Sequence, residues 1–166
     1  MKPTVYLETS FLSFLTARPT RDVQISAMIQ TSKDWWENER GSFDLFVSDL
    51  VGVEALAGDT EAAQRRREVL KTIPALQVDA DARSLSKFFL ACMALPANAA
   101  DDALHIAIAT VNQLDYLLTW NCRHIANAVL RPKLEGLCLA SGHHCPVICT
   151  PPQLRNLPYE NESDSR

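Results

Sequence analysis

Short apolar runs alternate along the chain with longer segments whose apolar residues recur near helical spacing. The short runs, which predict strands, cover residues 4–8, 43–48, 75–79, 115–120 and 146–150. The longer segments, which predict helices, cover residues 22–40, 49–58, 59–73, 81–95, 99–113 and parts of 121–142. Short buried strands that alternate with helices are typical of a parallel sheet with both faces covered. The pattern therefore predicts an α/β three-layer sandwich whose parallel sheet has about five short strands.

The breaks between these elements indicate one continuous domain. Gly58 is predicted to end the second helix, and Pro96 is predicted to end the fourth. The sequence contains no internal repeat and no low-complexity block that would divide it. We therefore expect a single domain over residues 1–155 and a disordered tail over residues 156–166.

Composition and charge restrict the class of protein. Of the 166 residues, 47% are hydrophobic and 22% are charged, which is ordinary for a soluble globular domain. No apolar run approaches the roughly 18 to 20 residues of a membrane span, so no membrane contact is expected. The formal net charge of -4 argues against a surface built throughout to hold nucleic acid, although a local basic groove stays open. The five cysteines lack a regular framework spacing, which favours free thiols and a cytoplasmic location.

Oxygen-bearing side chains stand near the ends of three predicted strands. Glu8 ends the first strand, Glu54 lies in the helix after the second, Asp102 opens the helix before the fourth, and Asn121 follows that fourth strand. In open α/β sheets ligands gather at the carboxyl ends of the strands, so these four side chains are expected to converge. Carboxylates and carbonyls suit a hard divalent cation such as Mg²⁺, and a bound cation can activate water for phosphodiester hydrolysis.

Four short motifs resemble those of the PIN-domain ribonucleases, and among them the VapC-like toxins of type II toxin–antitoxin pairs. In "YLETSFLS" an acid is followed by Thr and a small polar residue, and in "SDLVGVEAL" a Glu stands six positions after a Ser. In "DALHIAIA" an Asp opens an apolar helix, and "YLLTWN" with "RHIAN" has Thr, any residue and then Asn where the family has an acid. The motifs follow the family's order over residues 4 to about 150.

The resemblance implies a PIN-like fold and a divalent-metal-dependent endoribonuclease that uses Mg²⁺ or Mn²⁺. It also implies an RNA substrate, an antitoxin protein as partner and a homodimer. By the same resemblance the catalytic and metal-binding residues would be Glu8, Glu54, Asp102 and Asn121. The supporting residues would be Thr9, Ser10, Thr119 and His105.

Two departures from the family pattern leave a second function open. Glu8 stands where the family usually has Asp, which keeps the charge and moves the carboxylate by about one carbon–carbon bond. Asn121 replaces the usual fourth Asp, which removes one negative charge from the expected metal site. A PIN-like module with a decayed site, which binds RNA or protein, is therefore the alternative function. Cleavage of DNA is a weaker third option that the sequence does not separate from cleavage of RNA.

Several residues also have ordinary structural explanations. Thr9 or Ser10 would cap a helix that starts after the first strand, with or without a role in orienting Glu8. His105, one turn after Asp102, is expected to be a packed and hydrogen-bonded histidine. Thr119 is expected to hold a site carboxylate or a water molecule.

Three further features of the sequence are candidate surfaces or sites. The apolar residues Trp35, Trp36, Phe88 and Phe89 suggest a dimer surface, although adjacent helical residues such as Trp35 and Trp36 point about 100° apart. The run "RRR" at residues 65–67 is expected to be a solvated charged face. Cys145 and Cys149 on an extended strand would lie about 13 Å apart, too far to share one zinc ion.

Overall fold

Five short parallel strands form the central sheet of the computed structural model, which describes residues 1–155. The strands are β1 (Thr4–Leu7), β2 (Asp44–Ser48), β3 (Ala75–Leu76), β4 (Tyr116–Leu118) and β5 (Val147–Cys149). Their order is β3-β2-β1-β4-β5, and every neighbouring pair is parallel. The predicted α/β fold with a five-stranded parallel sheet is confirmed. The predicted tail, residues 156–166, lies outside the described residues.

Seven α-helices connect and cover these strands within residues 1–155. They are α1 (Thr9–Leu15), α2 (Val23–Asn38), α3 (Asp49–Ala55), α4 (Thr60–Leu70), α5 (Ala80–Ala91), α6 (Ala100–Val111) and α7 (Arg131–Ala140). Four of the helices begin at side-chain caps, in which an oxygen accepts a backbone N–H of the first turn and so satisfies a donor without a helical partner. The capping residues are Asp22, Ser48, Asp59 and Asp79.

The observed elements are shorter than the sequence pattern predicts. The third strand keeps only Ala75–Leu76 of the predicted residues 75–79, and the strand predicted over 115–120 ends at Leu118. Helix α5 ends at Ala91, before Pro96, because Met93 adopts a left-handed backbone conformation with φ of 56° that cannot continue the helix. Apolar periodicity therefore locates the elements but extends them into the turns that follow.

The core corrects one expectation about the surface. Trp35 and Phe89 are fully buried, so neither contributes to an exposed apolar face as the sequence suggested. Trp35 packs edge-on against Phe11, and its indole N–H donates to the carbonyl of Leu154 at 2.6 Å. Large aromatic rings bury more apolar area than most side chains, which explains why they lie inside a small domain.

The order of the strands places a crevice at the carboxyl end of β1. The chain moves from β1 towards β2 and β3 on one side and adds β4 and β5 on the other, so the strand order reverses beside β1. Helix α1 follows β1 directly, and α3 follows β2 directly. Helix α6, which precedes β4, is buried along most of its length. Side chains from α1, α3, α6 and the segment after β4 can therefore meet at this edge.

No helix in the part of the chain that the structure describes is long and apolar enough to cross a membrane.

Candidate functional site

Glu8 lies at the point where β1 passes into α1. Its backbone N–H donates to the carbonyl of Leu118 at 3.1 Å, which fixes the residue beside the end of β4. Glu8 itself occupies the N-cap position in an extended conformation, and among residues 1–155 its side chain makes no capping bond. The expectation that Thr9 or Ser10 caps α1 is therefore wrong: both hydroxyls donate to carboxylates.

Two hydroxyls hold one oxygen of the Glu8 carboxylate. Ser10 Oγ and Thr119 Oγ1 both donate to Oε2 of Glu8, the latter at 2.7 Å. Each hydroxyl in turn accepts a backbone N–H, from Trp120 and Asn121 respectively, and both of these distances are 2.9 Å. The accepted N–H groups orient the hydroxyl protons towards the carboxylate. Glu8 is only 5% exposed, and its other oxygen, Oε1, accepts no hydrogen bond from residues 1–155.

Glu54 faces the same crevice from α3. Its Oε2 accepts hydrogen bonds from Thr9 Oγ1 and from Nε2 of His105, the second at 2.9 Å. Partial burial raises the pKa of Glu54, but its hydrogen bond and electrostatic interaction with His105 and its hydrogen bond from Thr9 outweigh this effect, so the pKa lies below its ordinary value. Glu54 therefore carries a negative charge at neutral pH.

His105 is held between Glu54 and a buried tyrosine. Its Nδ1 lies 2.8 Å from the hydroxyl of Tyr6, and that hydroxyl lies 2.7 Å from Oγ of Ser48. Burial raises the pKa of Tyr6 far above its usual range, so this hydroxyl stays protonated and always has a proton to donate. His105 is 1% exposed and fully hydrogen-bonded, as the sequence predicted for it.

Asp102 belongs to a neighbouring group on the same edge. Its Oδ1 accepts a hydrogen bond from Nδ2 of Asn121, and its Oδ2 pairs with Nδ1 of His124, both at 2.9 Å. The backbone N–H of His124 donates to Oδ1 of Asn121 at 3.0 Å. Thr119 joins the two groups, because its hydroxyl accepts from the backbone of Asn121 and donates to Glu8.

The structure thus divides the predicted site into two connected groups. Among the described residues, the one set of His, Cys, Asp and Glu side chains with ligand atoms mutually within 4.8 Å consists of Glu8, Glu54 and His105. Asp102 and Asn121 lie with His124 in the second group. Cys145 and Cys149 belong to no such set within residues 1–155.

Sequence reasoning did not identify His124, Tyr6 or Ser48 as part of the site. His124 follows Asn121 by three positions within the quoted "RHIAN", and this spacing was the available signal. Tyr6 lies inside an apolar strand, where a buried aromatic residue is expected for packing alone.

The donor set fits a divalent cation. Glu8 and Glu54 each use Oε2 for hydrogen bonds, while Oε1 of each accepts none from the described residues. Two carboxylates with a free oxygen, beside an imidazole nitrogen, are ordinary ligands for such an ion.

No protein-family model and no curated protein matches this sequence. Solved structures do match the fold. The sarcin-ricin loop cleaving toxin VapC20 of Mycobacterium tuberculosis aligns with a TM-score of 0.58 at 18% identity, over 75% of this chain and 95% of that chain. A Klebsiella pneumoniae toxin–antitoxin complex aligns with a TM-score of 0.55 at 19% identity, over 76% of this chain and 93% of that chain. VapBC2 of Rickettsia felis, solved with promoter DNA, aligns with a TM-score of 0.54 at 11% identity, over 89% of this chain and 98% of that chain. The chain has the PIN-like α/β fold of these structures.

Proposed function

We propose that the protein is a divalent-metal-dependent endoribonuclease and the toxin of a toxin–antitoxin pair. The observation that supports this most is the convergence of Glu8 and Glu54, each with a free carboxylate oxygen, at the strand-order reversal of a PIN-like sheet. This is the edge at which open α/β sheets bind their ligands. Asp102 and Asn121 lie on the same edge and would complete the site through the shared partner Thr119.

The residues of the site have distinct parts in this function. Glu8, Glu54, Asp102 and Asn121 would hold Mg²⁺ or Mn²⁺, which when bound supplies an activated water and neutralises charge on the phosphate. Ser10 and Thr119 fix Oε2 of Glu8, so that its second oxygen is kept for the ion. Asn121 and His124 hold Asp102 from both of its oxygens.

RNA is the proposed substrate. The structural neighbour from Mycobacterium tuberculosis is described as cleaving the sarcin-ricin loop, and its fold is shared by this chain. The net charge of -4 means that contact with a polyanion has to be local. Arg123 is exposed beside the half-buried His124 and offers a positive charge at the edge of the site.

The proposed partners are an antitoxin protein and a second copy of the chain, and the proposed location is the cytoplasm. Two of the structural neighbours, from Klebsiella pneumoniae and Rickettsia felis, are described as a toxin–antitoxin complex and as VapBC2. An antitoxin would hold the nuclease inactive until it is released. The resemblance of the four sequence motifs to VapC-like toxins supports the same partner.

The decisive test is RNA cleavage by Asp102→Asn, with Asp101→Asn as its matched control. Asp101 precedes Asp102 on the first turn of α6 but is exposed, so its substitution makes the same chemical change outside the site. We expect the wild type to cleave RNA only with Mg²⁺ or Mn²⁺, and Asp102→Asn to lose at least about a hundredfold in rate. Asp101→Asn should cleave like the wild type. Equal cleavage by the two variants, or full activity in excess EDTA, would contradict the proposal.

A decayed RNA-binding or protein-binding module is the second candidate function. One observation favours it: both oxygens of Asp102 already have hydrogen-bond partners, so this group needs no ion to be satisfied. The two functions are separated by a binding assay beside the cleavage assay. RNA that is bound but stays intact with either ion would support the decayed module, and a DNA strand of the same sequence would test the choice of nucleic acid.

A further inference from the structure

We propose that His105 is a direct ligand of the bound ion through Nε2, and that the site therefore prefers Mn²⁺ to Mg²⁺. This inference rests on the proposed function, because it concerns the ion at that same site. It assigns to His105 a role beyond the packed and hydrogen-bonded one that the sequence suggests.

The position of Nε2 is the first support. It lies 2.9 Å from Oε2 of Glu54 and 4.0 Å from Oε1 of Glu8. Ligands at about 2.1 Å from an octahedral ion are about 3 Å from each other along an edge. Binding of an ion through Nε2 would replace its hydrogen bond to Glu54, and the ligand atoms of the three side chains already lie within 4.8 Å of one another, so they need to close by at most about 2 Å.

The unused oxygens are the second support. The Glu8 carboxylate is more than nine-tenths buried, yet its Oε1 accepts no hydrogen bond from residues 1–155 and faces His105. A cation bound at this oxygen would give it a partner and would neutralise the charge of the Glu8 carboxylate. Asp102 differs, because both of its oxygens are engaged by Asn121 and His124.

The surroundings of Nδ1 are the third support. A histidine that binds a metal through one nitrogen usually donates its other N–H to a fixed acceptor. Here Nδ1 meets the Tyr6 hydroxyl at 2.8 Å, and that hydroxyl can turn its own proton to Ser48 Oγ at 2.7 Å. The hydroxyl can also donate to Nδ1, so the same pair of residues holds the ring with or without an ion.

The nature of the ligand determines the preferred ion. Oxygen ligands suit both Mg²⁺ and Mn²⁺, whereas an imidazole nitrogen favours transition ions over Mg²⁺. If His105 only donates a hydrogen bond to Glu54, the site is an all-oxygen site and this preference is absent.

Pulsed electron paramagnetic resonance of the Mn²⁺-loaded protein tests the coordination directly. The chain has four histidines, so the triple variant His124→Gln, His143→Gln, His144→Gln leaves His105 as the only one. His143 and His144 lie beside Asp115, which precedes β4 and so lies at the opposite edge of the sheet. We expect nitrogen modulation from Mn²⁺ in the wild type and in this variant, with the pattern changed by ¹⁵N-labelled histidine. If Mn²⁺ binds to the wild type or to the triple variant without coupling to a histidine nitrogen, the inference is overturned.

Calorimetry with Mn²⁺ and with Mg²⁺ tests the preference. His105→Gln offers an amide oxygen near the place of Nε2, and His143→Gln is the matched control on the opposite edge. We expect His105→Gln to lower the ratio of Mn²⁺ to Mg²⁺ affinity at least tenfold, and His143→Gln to leave that ratio unchanged. An unchanged ratio in folded His105→Gln overturns the inference.

The outcomes separate this inference from the proposed function. Metal-dependent RNA cleavage by a wild type that shows no histidine coupling leaves the nuclease intact and removes His105 from the ligands. A wild type that binds neither ion contradicts the proposed function itself, and the inference with it.

Discussion

Asn121 is the residue at which the site departs most from four carboxylates, and the structure gives it a specific role. Its Nδ2 donates to Oδ1 of Asp102, while its Oδ1 accepts the backbone N–H of His124. An Asp at this position would keep the acceptor and lose the donor. In the wild type Nδ2 of Asn121 lies 2.9 Å from Oδ1 of Asp102. Without an ion, two carboxylates would face each other at this place in the variant.

We therefore predict that Asn121→Asp has opposite effects on stability without and with a divalent ion. In EDTA the free energy of unfolding should fall by about 1–3 kcal/mol, because a hydrogen bond is replaced by a repulsive contact. With added Mn²⁺ or Mg²⁺ the variant should gain more stability than the wild type, since tighter binding to the folded state shifts unfolding further.

Thermal unfolding with and without ions measures both effects. Asn38→Asp is the control, because Asn38 is exposed at the end of α2 and its substitution adds the same charge away from the site. If the ions stabilise Asn121→Asp no more than they stabilise Asn38→Asp, that result would show that residue 121 does not contact the ion.

Tyr6 is predicted to contribute to stability through its hydroxyl as well as its ring. Tyr6→Phe removes the link between Ser48 and His105 and leaves Nδ1 of a buried imidazole without its partner. The cost should be about 1–3 kcal/mol, measured by urea denaturation. Tyr116→Phe is the matched control, since its hydroxyl forms no hydrogen bond with the described residues although it too lies in a strand. Similar losses in the two variants would show that the hydroxyl of Tyr6 contributes little.

The sequence allowed the acidic residues and their direct partners Thr9, Ser10, Thr119 and His105 to be proposed, but not the pairing among them or the residues behind them. Glu8 and Glu54 stand out because each follows an apolar strand within a few positions. Their partners come from distant parts of the chain: Thr119 lies 111 positions from Glu8, and His105 lies 99 positions from Tyr6. Local patterns carry no information on such pairs, and this explains why Tyr6, Ser48 and His124 were missed.

At the scale of elements, Ser48 connects the stability of a helix with the geometry of the site. Its Oγ accepts the backbone N–H of Val51 at 3.3 Å as the cap of α3, the helix that carries Glu54, and it also contacts Tyr6. We predict that Ser48→Ala lowers stability by about 1–2 kcal/mol and also reduces RNA cleavage.

Asp79→Ala is the matched cap variant for this prediction. Asp79 caps α5 by accepting the N–H of Ala82 at 2.8 Å, and within residues 1–155 its side chain forms no hydrogen bond with a residue of the site. The substitution Asp79→Ala should lower the free energy of unfolding by about 1 kcal/mol and leave the rate of RNA cleavage unchanged. If both variants reduce cleavage equally, loss of a cap alone explains the effect and Ser48 has no separate role in the site.

The ends of the elements show why the sequence predicts them poorly. The apolar run over residues 115–120 continues past Leu118, but the backbone N–H of Trp120 turns to Ser10 Oγ, and that of Asn121 turns to Thr119. Those donors are used for the site instead of the sheet. Existence and type of an element follow from apolar periodicity, whereas its last residues are decided by tertiary hydrogen bonds.

At the scale of the whole molecule, burial changes the basis for expecting a dimer. Trp35 and Phe89 belong to the core, and Trp36 is half-buried with Arg40 at 4.4 Å from its ring centroid. Large apolar side chains remain exposed elsewhere: Met93 is 79% exposed and Val129 is 86% exposed. Met93 and Leu130 line one apolar cavity, and Val129 directly precedes Leu130 in the chain; these three residues are called the Met93 patch.

We predict that the protein is a homodimer in solution and that the Met93 patch is covered in it. Exposed apolar area is stabilised by about 25 cal/mol per Å² when it is removed from water, and a symmetric pair brings two identical patches together. The double variant Met93→Lys, Val129→Lys should therefore be monomeric, because two like charges on each copy would be forced into the contact.

Val23→Lys is the control, since Val23 is 81% exposed at the start of α2, away from the patch, and should leave the dimer intact. Light scattering over a wide range of concentrations measures the mass of each protein. A monomer mass for the wild type throughout would contradict the dimer, and a dimer that survives the double variant would place its interface on another face of the molecule.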